Sequence, residues 1–281
     1  MEKNRYLFKM YYFGKSKYYG SQRQPNVLTI EDCILDALTV KKYIKNIKTS
    51  GFEASSRTDR FVSARGACFS CVLERQPVLM EINSALPIEM GVWAYAKVPL
   101  DFLSRYNAIL RHYLYLAPIS LFTYQKTHSL DIELMQKACR QLEGRHDFIN
   151  FSKREKDEKA TIRDMDLAQF SIKNGYLIFQ FKSRAFLRQQ VRRMVKKIIE
   201  LGLGKIKYSE FLKIFDPTLN FSYQPADPKG LILWDVKYDP KIRFEEDKNS
   251  KKRMQDFFLG KELNAKFKDQ LFKILQHDDF S

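Results

Sequence analysis

The order of extended and helical patterns along the chain constrains its fold more than any other feature. In the first third, apolar and aromatic runs at 5–13, 67–74 and 92–98 favour β-strands. A helical pattern begins at Thr29, where Thr29 and Asp32 fit a capping box and apolar residues then recur three or four positions apart. This part of the chain therefore predicts a strand, a helix and two further strands.

The next part of the chain repeats this alternation without repeating the sequence. Its predicted elements are a strand at 112–118, a helix at 130–143, a hairpin at 168–183, helices at 185–201 and 209–215, and a strand at 231–238. Such an order is typical of an α+β fold. We expect two similar α+β halves, 1–104 and 105–240, followed by a charged helical tail at 241–281 whose role the sequence does not indicate.

The two predicted halves carry nearly all of the positive charge. The chain has a formal net charge of +16, of which the tail contributes only +2. A strongly positive folded body indicates a polyanionic partner, most simply a nucleic acid. Two alternatives stay open, namely an acidic membrane surface and a basic surface that serves solubility alone.

Several other classes of protein are disfavoured. No apolar run approaches the roughly 18 residues of a transmembrane helix, and the first residues lack the apolar core of a signal peptide, so we expect a cytoplasmic protein. Cys68 and Cys71 form a CxxC on a predicted strand, where positions i and i+3 face opposite sides, which favours separate thiols over a shared metal. We expect neither a metal nor a cofactor.

The segment 182–197 is the most basic in the chain, with seven Lys or Arg residues and no acid. If the predicted helix begins at 185, then Arg188, Arg192 and Lys196 share one face. Three stacked cations repel one another, and this repulsion is relieved when an anion lies across them. The segment therefore predicts contact with phosphates or with a carboxylate.

The polar segment 55–66 (SSRTDRFVSARG) places Asp59 between Arg57 and Arg60. Flanking cations favour the ionised carboxylate at neutral pH. An ionised acid in a loop that faces RNA repels phosphate, so it serves either as a nucleophile or base, or as an internal anchor for an arginine. The spacing alone leaves both interpretations open.

Several segments together resemble the tRNA pseudouridine synthase A family. They keep the family's order from about residue 5 to residue 238. The resembling segments are YYGSQRQ (18–24), RTD with the following VSA (57–64), NSALP (83–87), the stretch ending in Tyr-x-Tyr (98–115), HDFINFS (146–152), AFLRQQVRRMV (185–195) and GLIL (230–233). NSALP also predicts a short helix that ends at its proline.

Three positions depart from the family pattern. Ser21 stands where the family usually has Trp, Phe61 where it has Gly, and Ser63 where it has His. These departures affect the expected loop shape and RNA contacts, and leave the Asp, Tyr and Arg of the pattern in place.

The resemblance implies specific roles for three residues. Asp59 would be the catalytic carboxylate, which either attacks C1′ or removes a ribose proton, and Arg192 would pair with it. Tyr113 matches the first Tyr of Tyr-x-Tyr, so its ring would stack on the uracil and its hydroxyl would assist removal of the C5 proton. From the residues alone, a core aromatic on a strand is the favoured interpretation of Tyr113, and a role in the site stays open.

Five further residues are expected to contact the RNA. Arg57 would fill the space left by the flipped base or hold the flipped backbone. Arg188 would bind phosphate, and the early loop would contribute Lys17, Gln22 and Arg23.

The resemblance also implies a fold, a substrate and a partner. We expect two ferredoxin-like (RRM-like) halves that share a mostly antiparallel sheet, with helices on the outer faces and the cleft between the halves. The substrate would be the anticodon stem-loop of tRNA, around positions 38–40, and the chain would form a homodimer without membrane, metal or cofactor. The alternatives are a non-catalytic tRNA-binding or chaperone protein on the same fold, and a metal-dependent RNA hydrolase, for which the sequence lacks ligands.

Overall fold

The predicted α+β class is confirmed by the computed structural model, which describes residues 3–120, 130–154 and 160–276. The strands are β1 (Asn4–Tyr12), β2 (Glu53–Ala54), β3 (Ser63–Leu73), β4 (Met90–Val98), β5 (Leu110–Pro118), β6 (Gly144–Asp147), β7 (Ile162–Lys173), β8 (Tyr176–Ser183), β9 (Leu231–Lys237) and β10 (Glu245–Glu246). The helices are α1 (Ile30–Val40), α2 (Leu79–Ala85), α3 (Ile132–Leu142), α4 (Gln190–Gly202), α5 (Tyr208–Lys213) and α6 (Lys248–Ile274). The last five residues of the predicted tail lie outside the described residues.

The described strands form one large sheet in the order β10-β4-β1-β3-β9-β5-β8-β7-β6, with β2 paired to β3. Every pairing is antiparallel except that of β3 with β9, which is parallel and matches Ser63 with Ile232 and Ala64 with Leu233. Because β3 belongs to the first predicted half and β9 to the second, this one parallel pairing joins the two halves into a continuous sheet.

Local sequence signals account for the start of α1 and the end of α2. The Thr29 side chain accepts a hydrogen bond from the backbone of Asp32, and the Asp32 side chain reaches back to Thr29, as the capping box predicts. Helix α2 begins at Leu79, earlier than the predicted 83, and ends at Ala85. It stops there because the residue before Pro87 is pushed toward extended backbone, and Leu86 has a ψ of 145°.

The predicted start of the basic helix at 185 is wrong. Gln189 has a φ of 60°, a left-handed conformation that interrupts a right-handed helix, and α4 begins only at Gln190. The Gln190 side chain accepts a hydrogen bond from Leu187 N at 2.7 Å, which fixes the non-helical entry. Arg188 therefore lies before the helix, and the predicted row of Arg188, Arg192 and Lys196 on one helical face does not form.

Most of the described tail forms helix α6, after the short strand β10, and the first turns of α6 are anchored to residues 11–90. Arg253 donates hydrogen bonds to Tyr11 Oη at 2.5 Å and to the carbonyl oxygens of Met90 at 2.6 Å, Pro87 at 3.2 Å and Leu86 at 3.3 Å. Met254 is buried in a small cluster with Tyr11, Trp93 and Ala94. The helix beyond residue 260 is exposed throughout its described length.

We predict that Arg253→Met lowers the free energy of unfolding by about 2–4 kcal/mol, because it leaves several carbonyl oxygens without their charged donor. Urea unfolding measures the change. Lys268→Met, at an exposed position on the same helix, is the matched control and should stay within about 0.5 kcal/mol. Equal stability of the two variants would contradict this account of the anchor.

Candidate active site

Asp59 and Arg192 form an ion pair that connects the two halves. Asp59 lies on the loop between β2 and β3, and Arg192 lies in the first turn of α4. Arg192 Nη1 donates to Asp59 Oδ2 at 2.5 Å, and Arg192 Nε donates to the carbonyl oxygen of Ala226 at 2.7 Å. The Arg192 side chain is 9% exposed, whereas that of Asp59 is 32% exposed. The arginine thus fixes a carboxylate that solvent, or a substrate, still reaches.

Ser21 holds the Asp59 loop from the other side. Ser21 N donates to the carbonyl oxygen of Thr58 at 3.0 Å, and Thr58 N donates to Ser21 Oγ at 2.8 Å. Thr58 Oγ1 also lies 2.7 Å from Tyr12 Oη. A hydroxyl at position 21 therefore supplies a direct anchor for the residue that precedes Asp59.

The other two departures from the family pattern follow Asp59 closely: Phe61 lies in the turn after it, and Ser63 is the first residue of β3. Val62 N donates to the carbonyl oxygen of Asp59 at 3.2 Å, and within this turn Phe61 has a φ of 70°, in the region that glycine adopts freely. Ser63 Oγ accepts a hydrogen bond from Gly14 N at 3.1 Å. A Cβ on Gly14 would lie 2.2 Å from the Phe61 carbonyl oxygen, so this position requires a glycine.

Tyr113 lies on β5, within electrostatic reach of Asp59. It is 7% exposed, and its ring meets Phe186 edge-on with 5.1 Å between the centroids. Burial raises the pKa of Tyr113; the Asp59 carboxylate adds to the rise, whereas Arg111 and a hydrogen bond with Ser56 oppose it. The structure thus brings together Asp59, Arg192 and Tyr113, which the resemblance selected.

Arg111 is a site residue that the sequence analysis missed. It is 7% exposed, and its guanidinium donates to Ser56 Oγ at 3.0 Å and to the carbonyl oxygens of Ser55 at 2.6 Å and Arg105 at 2.8 Å, and also to that of Arg184. It ties the start of the Asp59 loop to the second half. The available signal was its position two residues before Tyr113, on the same face of the strand.

The predicted RNA-contacting residues are all found around the outside of this site or on the early loop. Arg57 and Arg188 are exposed, and Gln22 is exposed on the loop after β1. Arg23 is exposed and donates to Asp32 at 2.8 Å. Lys17 is half exposed and pairs with Glu89 at 2.6 Å.

Glu89 is a buried carboxylate that holds the loop between β1 and α1. Lys15 and Lys17 both contact its Oε1, at 3.1 and 2.6 Å, and Tyr18 donates to the same oxygen at 3.0 Å. Burial alone would raise the pKa of Glu89, but the hydrogen bonds from Lys17, Lys15 and Tyr18 outweigh it and lower that pKa to about 2. The hydrogen bond that Lys17 donates to Glu89 raises the pKa of Lys17 to about 12.

Within the described ranges, no group of three or more His, Cys, Asp or Glu side chains is placed to hold a metal ion. Cys68 and Cys71 are free and buried in β3, where burial raises the pKa of each thiol to about 12. Among the helices of the described residues, none is long and apolar enough to cross a membrane.

Comparisons with known proteins agree on one family. The family model described as tRNA pseudouridine synthase matches residues 138–239, which include Arg192. The protein named tRNA pseudouridine synthase A of Methanosphaera stadtmanae is 32% identical over 280 residues, covering 97% of this chain and 99% of that protein. Proteins of the same name from Pyrococcus furiosus (32% identical, 94% of this chain, 97% of that protein) and Thermococcus kodakarensis (33%, 88% and 90%) are similar too.

Coverage of 97% extends well into the tail, because the uncovered 3% is far shorter than residues 241–281. The tail therefore has a counterpart in at least one relative, although the motifs that carried the resemblance end at residue 233.

We predict that Arg111→Met lowers the free energy of unfolding by about 3 kcal/mol or more, because three carbonyl oxygens and a hydroxyl lose a buried donor. Arg145→Met is the control, since Arg145 forms a weak 3.6 Å surface pair and is 71% exposed. Chemical denaturation of both variants measures this change. If Arg111→Met loses no more stability than the control, the hydrogen bonds of Arg111 do not hold the Asp59 loop as described.

We predict that Glu89→Gln changes how stability depends on pH. A carboxyl pKa lowered from 4.5 to about 2 stabilises the folded state above pH 4.5, and this contribution fades as the pH falls toward 2. The free energy of unfolding of the variant should be up to about 3 kcal/mol lower than that of the wild type at pH 7. This difference should become smaller between pH 4.5 and 3. Urea unfolding from pH 7 to pH 3 tests this prediction, with Glu262→Gln, at an exposed position, as the control. A difference in the free energy of unfolding that does not depend on pH would contradict the lowered pKa of Glu89.

Proposed function

The chain belongs to the tRNA pseudouridine synthase family, and we propose that it converts uridine to pseudouridine in the anticodon stem-loop of tRNA, around positions 38–40, with Asp59 as the catalytic carboxylate. The observation that carries the assignment of Asp59 is the ion pair with Arg192, which leaves the carboxylate one-third exposed beside Tyr113. A purely structural pair has no need of an accessible acid.

The reaction is an isomerisation whose atoms balance within the nucleotide. The N1–C1′ bond breaks, the uracil turns, C5 bonds to C1′, and the proton lost from C5 is matched by one gained at N1. Asp59 either attacks C1′ or removes a ribose proton, and both roles require an ionised carboxylate held against the sugar. Arg192 fixes the position of this carboxylate through the hydrogen bond that it donates.

We assign to Tyr113 the contact with the uracil ring. Because burial raises its pKa, its hydroxyl stays protonated at neutral pH. It therefore assists removal of the C5 proton as a relay: its oxygen accepts the C5 proton while its own proton passes to solvent, and N1 takes the matching proton from solvent. The hydrogen bond with Ser56 holds the hydroxyl in position.

Outside the reacting centre, we propose that the positive surface binds the tRNA. Arg57, on the loop of Asp59, takes the space of the flipped base, and Arg188 contacts a phosphate. Lys17, Gln22 and Arg23 extend the contact along the early loop. The net charge of +16 supports a tRNA affinity that falls steeply with salt.

We also propose that residues 1–104 and 105–240 are two ferredoxin-like halves. The strand orders β4-β1-β3-β2 and β9-β5-β8-β7, with helices α1 and α2 in the first half and α3 and α4 in the second, support this. A homodimer and a cytoplasmic location, both implied by the resemblance, complete the proposal.

A tRNA transcript with uridines at 38–40 tests the function. We predict that the wild-type chain forms pseudouridine without added metal or nucleotide, and that Asp59→Asn slows it by about 10³-fold or more while tRNA affinity changes less than threefold. Mass spectrometry of nuclease digests maps the product. Asp101→Asn, at an exposed position, should match the wild type.

The non-catalytic alternative predicts a different pattern. Under it, the wild-type chain binds tRNA tightly at low salt but forms no pseudouridine, and Asp59→Asn changes nothing. Conversion by Asp59→Asn at the wild-type rate would refute the role of Asp59.

A further inference from the structure

A pocket of about 470 Å³ lies directly beside the Asp59 turn. Its volume falls within the range of small-molecule sites. The side chains that line it are two aromatic rings, three ammonium groups and two hydroxyls: Phe13, Phe61, Lys15, Lys17, Lys229, Ser16 and Ser63. We propose that this pocket is a subsite for a nucleotide that flanks the target uridine, an inference that rests on the proposed function. The base of this nucleotide stacks on Phe61, and its phosphate lies at the lysines.

The backbone of Phe61 is the first argument. A non-glycine residue at φ 70° costs about 1–2 kcal/mol, and the family pattern has glycine at this position. The Phe61 ring that comes with this strain lines an open pocket and is not part of the core. Stacking of one nucleic-acid base on an aromatic side chain contributes about 1–3 kcal/mol, which is enough to offset it.

The charge of the pocket is the second argument. Lys15 and Lys17 share the single carboxylate of Glu89, so one positive charge is left over between them. Lys229 forms no ion pair with any side chain in the described part of the chain, and its Nζ lies 5.7 Å from the centre of the Phe61 ring. An aromatic surface next to surplus ammonium groups matches a base with its phosphate.

The position of the pocket is the third argument. Phe61 lies in the turn after Asp59, and Ser63 begins β3 directly after that turn, so RNA bound at the carboxylate passes this opening. Lys229 comes from the second half, just before β9, whereas the other lining residues come from the first. The subsite thus forms only when the parallel β3–β9 pairing brings the halves together.

The tail supports one wall of the subsite. Phe257 of α6 meets Phe13 edge-on at 6.3 Å between centroids, and Phe13 lines the pocket. Two of the three departures from the family pattern, Phe61 and Ser63, also lie here. We infer that this chain selects the neighbours of its target uridine through a subsite of its own.

The test compares Phe61→Gly, Phe61→Tyr and Lys229→Gln with the wild type. We expect Phe61→Gly to weaken tRNA binding by about 5- to 150-fold, while the single-turnover rate at saturating tRNA stays within threefold. Phe61→Tyr keeps the ring and should restore binding. Lys229→Gln should lower the slope of log affinity against log salt by about 0.7–0.9, the value of one phosphate.

Matched controls remove equivalent groups elsewhere. Tyr176→Ala removes a partly exposed ring, and Lys173→Gln an exposed lysine, both at the β7–β8 hairpin; neither should change affinity or salt slope. Thermal melting shows whether Phe61→Gly folds, and relief of the positive φ should leave it at least as stable as the wild type.

A double-mutant cycle identifies the nucleotide. Stem-loop RNAs with an abasic nucleotide on either side of the target uridine are bound to the wild-type chain and to Phe61→Gly. We expect one abasic site to weaken binding to the wild type and to have no further effect on Phe61→Gly. Additive losses at both flanks would overturn the subsite.

The same experiments separate the subsite from the function. If the wild type converts uridine but Phe61→Gly and Lys229→Gln bind tRNA as it does, the subsite is refuted and the function stands. If no uridine is converted, the function is refuted, and the binding cycle still reports whether Phe61 stacks on a base.

Discussion

The ion pair between Asp59 and Arg192 is the interaction on which the rest of the site depends. A buried guanidinium is tolerable only when it is paired and its donors are satisfied, and Arg192 meets this condition through Asp59 and the carbonyl oxygen of Ala226. The pair spans the two halves, so neither half holds the carboxylate in place alone. The same contact therefore positions the carboxylate for catalysis and stabilises the junction between the halves.

The donors of a second buried arginine, Arg111, are satisfied by carbonyl and hydroxyl oxygens rather than by a carboxylate. Arg111 joins the start of the Asp59 loop to the carbonyl oxygens of Arg105 and Arg184, and so fixes the loop relative to β5 and to the segment before α4. Ser21 fixes the loop from the opposite side through Thr58. With its ends fixed in this way, the turn after Asp59 tolerates the strained backbone of Phe61, and the pocket beside it keeps its shape.

Regular periodicity made the longer strands, the helices and their order predictable, because those patterns depend on neighbours a few residues away. The short strands β2, β6 and β10 were missed, because two to four residues are too few to show a period. The start of α4 was wrong because a left-handed Gln189 leaves no mark on the apolar pattern. Arg111 was missed because its partners are mostly backbone carbonyl oxygens of distant segments, which have no side-chain signature. The role of Ser21 was hidden for the same reason.

The sequence by itself determined the α+β class, the surplus of positive charge, and, through its resemblance to one family, the choice of Asp59, Tyr113 and Arg192. The resemblance also implied that Arg192 pairs with Asp59. Only the tertiary structure decided that Arg111 holds the start of the Asp59 loop, and that Lys229 closes a pocket with Phe61. The physical reason is the parallel pairing of β3 with β9. It brings two distant segments side by side, and no local pattern in either strand specifies that register.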